Sequence, residues 1–278
     1  MGRRAKGVIA VAGASLVGIY LLVVGTAYLN QGRMVFPSWA VVPHGPLRPG
    51  TEQLTIDRPD GTRLHGLYIP PAAPSPSDTL VLVFPGNASN AQALAEWIAD
   101  IVPDHPVAAF YYRGYAPSTG TTEARHLLED APLVFDLIAQ RYRPRRIVAL
   151  GQSLGTGVAS GLAPQRPLAG LILVTPFESL KAVARDAQPW LPVSLLFRHD
   201  MDSAAALRDQ RAPVAIIAAG RDTLVRPART DALRQAVPNL AFDLTIPEAA
   251  HNDVHLHPAF APAVREALAR FDAAQSDR

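Results

Sequence analysis

The sequence predicts an α/β architecture: an eight-stranded, mostly parallel sheet with helices on both faces, behind an N-terminal transmembrane helix. Three observations predict it. Short apolar runs alternate with helical patterns along most of the chain. A long stretch near the N-terminus carries no charge, and one serine lies on a glycine-flanked junction between an apolar run and a small-residue helix.

The N-terminal stretch runs from Val8 to Leu29, 22 residues without a charge, preceded by Arg3, Arg4 and Lys6. As a helix it spans about 33 Å, enough for a hydrocarbon core of about 30 Å. Gly25-Thr26-Ala27 offers small residues for cleavage, but the stretch exceeds the 7 to 15 residues of a signal-peptide core, so a retained single-pass anchor at residues 8–29 is expected. The basic flank, residues 1–7, should stay in the cytoplasm, which places the remainder on the non-cytoplasmic (periplasmic or extracellular) side.

Residues 30–50, proline-rich from Pro37 to Pro49, read as a tether, and residues 51–274 as the folded domain. Its first two strands, near Gln53 to Asp57 and Arg63 to Ile69, flank Pro59-Asp60-Gly61-Thr62, whose turn chemistry favours an antiparallel hairpin. Six further strands are expected at Thr79 to Phe84, Val107 to Tyr111, Arg146 to Leu150, Leu171 to Val174, Val214 to Ala219 and Phe242 to Ile246. They are shorter and more uniformly apolar than the first two, as strands covered by helices on both faces should be. Helical patterns lie near Asn90 to Asp100, Thr122 to Tyr142, Ser153 to Leu162, Pro227 to Ala236 and Pro258 to Ala273. Pro71 to Asp78 reads as a surface loop. Residues 177–210 are longer than a minimal crossover and contain the apolar run Trp190 to Phe197. They form either a small helical flap over the carboxyl ends of the strands or an ordinary covering helix.

Composition narrows the chemistry. The 26 basic and 24 acidic residues are intermingled, and no basic cluster is joined to aromatics, so a nucleic-acid partner is not expected. Cysteine is absent, which excludes disulfides, thiolate metal sites and a cysteine nucleophile. His251, His255 and His257 lie close in sequence, yet no matching carboxylate spacing completes a metal site, and neither a metal nor another cofactor is expected.

The serine junction is Gly151-Gln152-Ser153-Leu154-Gly155, after Ile147 to Leu150. Such an elbow holds a serine in a strained conformation, and its glycines leave room for the strand and helix to cross. An alcohol needs a base, and the base a partner that fixes its tautomer. Asp222 follows the strand ending at Ala219, and His251 follows the last strand, in the order Ser, Asp, His that this arrangement requires. Glu248, Asp253 and Asp202 are lesser acid candidates. Oxyanion donors are expected from the backbone N–H of Leu154 and, in the loop Phe84-Pro85-Gly86-Asn87-Ala88, from that of Asn87, whose side chain could alternatively only shape the turn. Tyr111, Tyr112 and Tyr115 could line the pocket mouth or fill core, and Arg113 could pair with an acidic neighbour or a substrate.

Taken in order, Pro85-Gly86-Asn87-Ala88 with Asn90, Tyr112-Arg113-Gly114-Tyr115 with Ser118 and Gly120, the Ser153 elbow, Gly220-Arg221-Asp222 and His251-Asn252-Asp253 resemble the α/β-hydrolase family. The likeness is to its compact branch of membrane-anchored, depalmitoylase-like and serine aminopeptidase-like hydrolases, and spans about Thr51 to Phe271. The resemblance implies Ser153 as nucleophile, Asp222 as acid, His251 as base, Asn87 and Leu154 as oxyanion donors, and a small flap. Pro85 stands where the family usually has histidine, and Ala116 where glycine is common. The expected activity is cleavage of carboxylic esters or thioesters through an acyl-enzyme, on a small-molecule or lipid-like acyl ester, with the acyl group near Trp190 to Phe197. The same triad would serve an aminopeptidase or amidase, and a non-catalytic lipid- or partner-binding scaffold is the remaining alternative.

Overall fold

The computed structural model describes residues 3–72 and 77–276. Its first element, α1 (Arg3–Val35), is 33 residues and about 50 Å long, and among the described residues it is the one helix long and apolar enough to cross a membrane. It runs six residues beyond the expected anchor. The polar residues there do not end it, because Asn30 Nδ2 donates back to the Thr26 carbonyl at 2.8 Å and Gln31 Nε2 to that of Tyr28 at 3.0 Å. Helix gives way only before Pro37, which cannot donate to the ladder.

The segment expected as a tether is therefore shorter at its start, and it is fastened down. Phe36 is buried in the main core. Further on, the Val42 carbonyl accepts from Asn90 Nδ2 at 3.0 Å, the Gly45 carbonyl from Gln92 Nε2 at 3.1 Å, and Arg48 pairs with Asp100. Proline removes backbone donors, so the segment is held by side chains that reach its carbonyls.

The strands are β1 (Glu52–Asp57), β2 (Arg63–Ile69), β3 (Thr79–Phe84), β4 (Val107–Phe110), β5 (Arg146–Gln152), β6 (Gly170–Val174), β7 (Val214–Ala219) and β8 (Leu240–Ile246). They form one sheet in the order β1-β2-β4-β3-β5-β6-β7-β8, antiparallel only at the β1/β2 and β2/β4 pairings. The hairpin turn is built by its own chemistry: Asp60 Oδ1 accepts from Thr62 N at 2.9 Å, and Gly61 takes φ +81°. Four residues of the Pro71 to Asp78 loop, 73–76, lie outside the described residues.

Every residue of β3 is buried, and its side chains alternate between two cores. Leu80, Leu82 and Phe84 pack with α3 (Ala124–Tyr142), α4 (Leu154–Leu162) and α8 (Pro227–Ala236). Val81 and Val83 pack with α2 (Ala91–Ile101) and α9 (Phe260–Ser276). Between β6 and β7 the expected flap is three short helices, α5 (Leu180–Ala187), α6 (Val193–Leu196) and α7 (Ser203–Leu207). An isolated antiparallel bridge between Ser179 and Asp202 closes its base. Arg229 on α8 ties it down through Glu178 and Asp186.

The chain order reverses around β3: β4 lies on one side of it and β5 on the other. That switch point leaves a crevice beyond the carboxyl ends of the strands. The loops after β3, β5, β7 and β8 all open at that edge, since Phe84 pairs in register with Gly151, Gln152 with Val174 and Ala219 with Ile246.

Candidate active site

Ser153 sits between β5 and α4 at φ 50° and ψ −115°, a conformation that costs an L-residue of order 1–3 kcal/mol and persists only when the surroundings over-determine it. Two constraints do so. The Ser153 N–H donates to the Val174 carbonyl at 2.9 Å, and its own carbonyl accepts from the Thr156 N–H at 2.9 Å and hydroxyl at 2.7 Å. The flanking glycines are sterically required: a Cβ on Gly151 would overlap the Gly155 carbonyl, and one on Gly155 the carbonyl of Phe84. Helix α4 thus packs at backbone contact against the sheet, and the serine is pushed out at its edge.

Ser153 Oγ lies 2.8 Å from His251 Nε2, and His251 Nδ1 lies 2.6 Å from Asp222 Oδ2. The Asp222 side chain is 3% exposed and that of His251 10%. The other carboxylate oxygen, Oδ1, accepts from Leu224 N at 2.9 Å and Val225 N at 2.8 Å, so the carboxylate cannot rotate freely. Arg221 N donates to the Ala249 carbonyl at 2.9 Å, which sews the loops after β7 and β8 together and sets the acid and imidazole in register. The lesser acid candidates are occupied elsewhere or exposed: Asp202 caps α7, Asp253 accepts from Ala250 N, and Glu248 is exposed.

Asn87 and Leu154 both line the cavity that contains Ser153, and among the described residues neither backbone N–H has an acceptor. The Asn87 side chain fastens the loop: Oδ1 accepts from the Tyr115 hydroxyl at 2.6 Å, and Nδ2 donates to the Val35 carbonyl, the last of α1, at 2.6 Å. Ala88, beside it, takes the left-handed φ of 56°. Tyr112 and Tyr115 are buried with their hydroxyls bonded, to the Pro85 carbonyl and to Asn87, and burial pushes both phenols well above their ordinary range. They fill core under the loop and do not line the mouth. Arg113 is buried in acidic company, donating twice to Asp130 and once to Asp60.

His255 and His257 stand apart from His251 chemistry. The His255 ring meets Trp97 edge-on with centroids 5.2 Å apart, and burial lowers its pKa. His257 Nδ1 accepts from Ala259 N.

The cavity above Ser153 is about 520 Å³, within the range of small-molecule sites. Ser153, His251 and Asn252 supply polar groups at its floor, and apolar residues of the cap, among them Leu180, Val183 and Leu196, form one wall. Trp190, expected near the acyl group, faces outward at 54% exposure. The opposite wall was not legible from motifs: it is α1, through Val24, Ala27, Tyr28, Gln31, Met34 and Val35. Their spacing is one helical stripe, and the recurrence of Tyr20, Tyr28 and Gln31, side chains with polar groups, on that one face of a mostly apolar helix was the available signal.

The fold is that of the α/β hydrolases. The uncharacterized protein Rv2307c of Mycobacterium tuberculosis is 32% identical over 261 residues, 91% of this chain and 90% of that one. The lysophosphatidylserine lipase ABHD12 of Danio rerio is 34% identical over 98 residues, 34% of this chain and 25% of that one. Among solved structures, the Pyrococcus furiosus esterase Pf2001 superposes with a TM-score of 0.67 at 21% identity, covering 82% of this chain and 95% of that one. No protein-family model matches the chain. The chain has the α/β-hydrolase fold and belongs to one family with the mycobacterial protein.

Proposed function

We propose that this protein is a membrane-anchored serine hydrolase that cleaves carboxylic esters or thioesters through an acyl-enzyme. One observation carries the reading: on a strained elbow, Ser153 Oγ, His251 and Asp222 form a continuous relay with steps of 2.8 and 2.6 Å.

Ser153 Oγ attacks the acyl carbonyl carbon while His251 Nε2 takes its proton. Asp222, bonded to Nδ1, holds the imidazole so that Nε2 faces the serine, and stabilises the cation that forms. The oxyanion is met by the backbone N–H groups of Leu154 and Asn87, a reading supported by both residues lining the cavity and by neither N–H having an acceptor among the described residues. Collapse breaks the bond to the leaving alcohol or thiol, which receives the proton from His251. Water, deprotonated by His251, then attacks the ester of Ser153, releases the carboxylic acid and returns the proton to the serine. The apolar walls favour an apolar acyl group. Helix α1 would hold the domain at a membrane with its basic end in the cytoplasm.

The test is a fluorophosphonate probe with a panel of nitrophenyl esters, thioesters and peptide anilides. Labelling of wild type but not of Ser153→Ala, with esters or thioesters cleaved well ahead of anilides, is expected. Folded protein that leaves the probe unreacted while a control hydrolase labels would sink the reading, and faster anilide cleavage would redirect it to an amidase.

A further inference from the structure

We propose that α1 is a working wall of the acyl-binding site as well as an anchor, and that the substrate is a long-chain acyl ester resident in the membrane, admitted sideways between α1 and the cap. This rests on the reading of Ser153 as the nucleophile.

The argument begins with the helix. Val24, Ala27, Tyr28, Gln31, Met34 and Val35 fall at steps of three and four residues, so they make one face. That face spans about 16 Å along the axis and ends beside Asn87, whose Nδ2 donates to the Val35 carbonyl. The stripe therefore leads along the apolar cavity to the oxyanion loop. Leu22 and Leu29 lie on the opposite face, 70% and 77% exposed, free to meet lipid.

The cap is bonded to the same face. Gln31, buried, donates through Nε2 to the Leu196 carbonyl at 3.2 Å and accepts through Oε1 from Arg198 N at 2.8 Å. The Tyr20 hydroxyl donates to the Trp190 carbonyl at 3.0 Å. Tyr20 lies nine residues before Leu29, about 14 Å deeper along the helix. A bilayer placed on the charge-free stretch Val8 to Leu29 thus covers the tip of the cap. The side chains there are apolar and open to lipid: Trp190 is 54% and Leu195 85% exposed. A free-standing soluble ester would have to reach a mouth flanked by lipid, whereas an acyl chain in the adjoining leaflet is already aligned with the stripe. Apolar burial along the cavity replaces the lipid contacts that the chain gives up.

The full chain in phosphatidylcholine vesicles tests this with p-nitrophenyl palmitate and p-nitrophenyl acetate. Ala27→Trp and Met34→Trp each fill the cavity from α1, and Leu22→Trp adds the same bulk on the lipid face. The palmitate-to-acetate rate ratio is expected to fall about tenfold or more in Ala27→Trp and Met34→Trp, and to stay within about twofold in Leu22→Trp. An unchanged ratio in both cavity variants, or an equal fall in Leu22→Trp, overturns the assignment of α1. Fluorophosphonate labelling of Ser153 in the same samples separates the two readings. Labelled protein with an unchanged ratio defeats only this inference, and unlabelled wild-type protein that cleaves neither ester defeats the hydrolase reading and this one with it.

Discussion

The sheet edge and the cap border the same cavity but are held together differently. Strands β3, β6 and β7 are buried at every position; the loop with Asp222 follows β7, that with Ser153 follows β5, buried at its five central residues, and that with His251 follows the more exposed edge strand β8. In the cap, α5 has no buried residue and α6 only Val193, and the segment is fixed by Arg229, by the Ser179 bridge and by bonds to Gln31 of α1. The proposed chemistry, which needs positions accurate to fractions of an ångström, sits on the densely buried part, and the cap, proposed to border the substrate's entry, has the few buried contacts typical of low-stability segments.

The largest effect expected belongs to the sheet side. Ser153→Ala should lower ester turnover on the order of 10⁶-fold with the melting temperature unchanged, and Asp222→Ala on the order of 10⁴-fold, both read by steady-state kinetics beside calorimetry. Equal turnover in Ser153→Ala would end the comparison. Gly155→Ala forces a Cβ into the Phe84 backbone, and a cost of about 3 kcal/mol should lower the melting temperature by about 6 to 12 °C.

Changes on the cap side should be local. Gln31→Ala leaves the Arg198 N–H without its acceptor, and a loss of about 1.4 kcal/mol should raise proteolytic cleavage within the cap about tenfold while the global melting temperature barely moves. A fall in melting temperature as large as that of Gly155→Ala would show that cap and sheet are one cooperative unit.

The smallest effect concerns pH. His199 is buried beside Phe36 at the junction of cap and α1; burial lowers its pKa, Glu123 opposes this, and Arg198 adds to it. Because the folded protein prefers neutral His199, the stability it contributes is complete above the ordinary histidine pKa and is lost as pH falls through the lowered folded value. His199→Phe should therefore reduce the loss of stability between about pH 7 and 5, measured by denaturant titration at each pH. An identical pH profile would remove His199 from that role.

Much of the sheet side could be read in advance because its signals are local. Uniform apolar runs mark covered strands, and Pro59-Asp60-Gly61-Thr62 marks a hairpin. Glycines on both sides of Ser153 betray a backbone crossing that admits no side chain. How far α1 continues beyond the expected anchor was not legible, because polarity at Asn30 and Gln31 resembles the edge of a membrane span, whereas those side chains bond back to their own helix. The proline-rich stretch after it read as loose, since composition shows missing backbone donors but not the carbonyls that Asn90 and Gln92 find.

The sequence by itself determined the order of the strands along the chain, the residues that supply nucleophile, base and acid candidates, and the presence of an apolar helix of membrane-spanning length. Those properties rest on periodicity, turn chemistry and residue type, which act over a few neighbours. Only the tertiary structure decided that Ser153, Asp222 and His251 meet within hydrogen-bond reach, and that Asn87 spends its side chain on Tyr115 and Val35. It alone decided that α1 lies against the cap. These contacts join residues dozens to more than 160 positions apart, as Gln31 to Leu196 does. Their existence depends on how whole layers pack, and no local pattern encodes it.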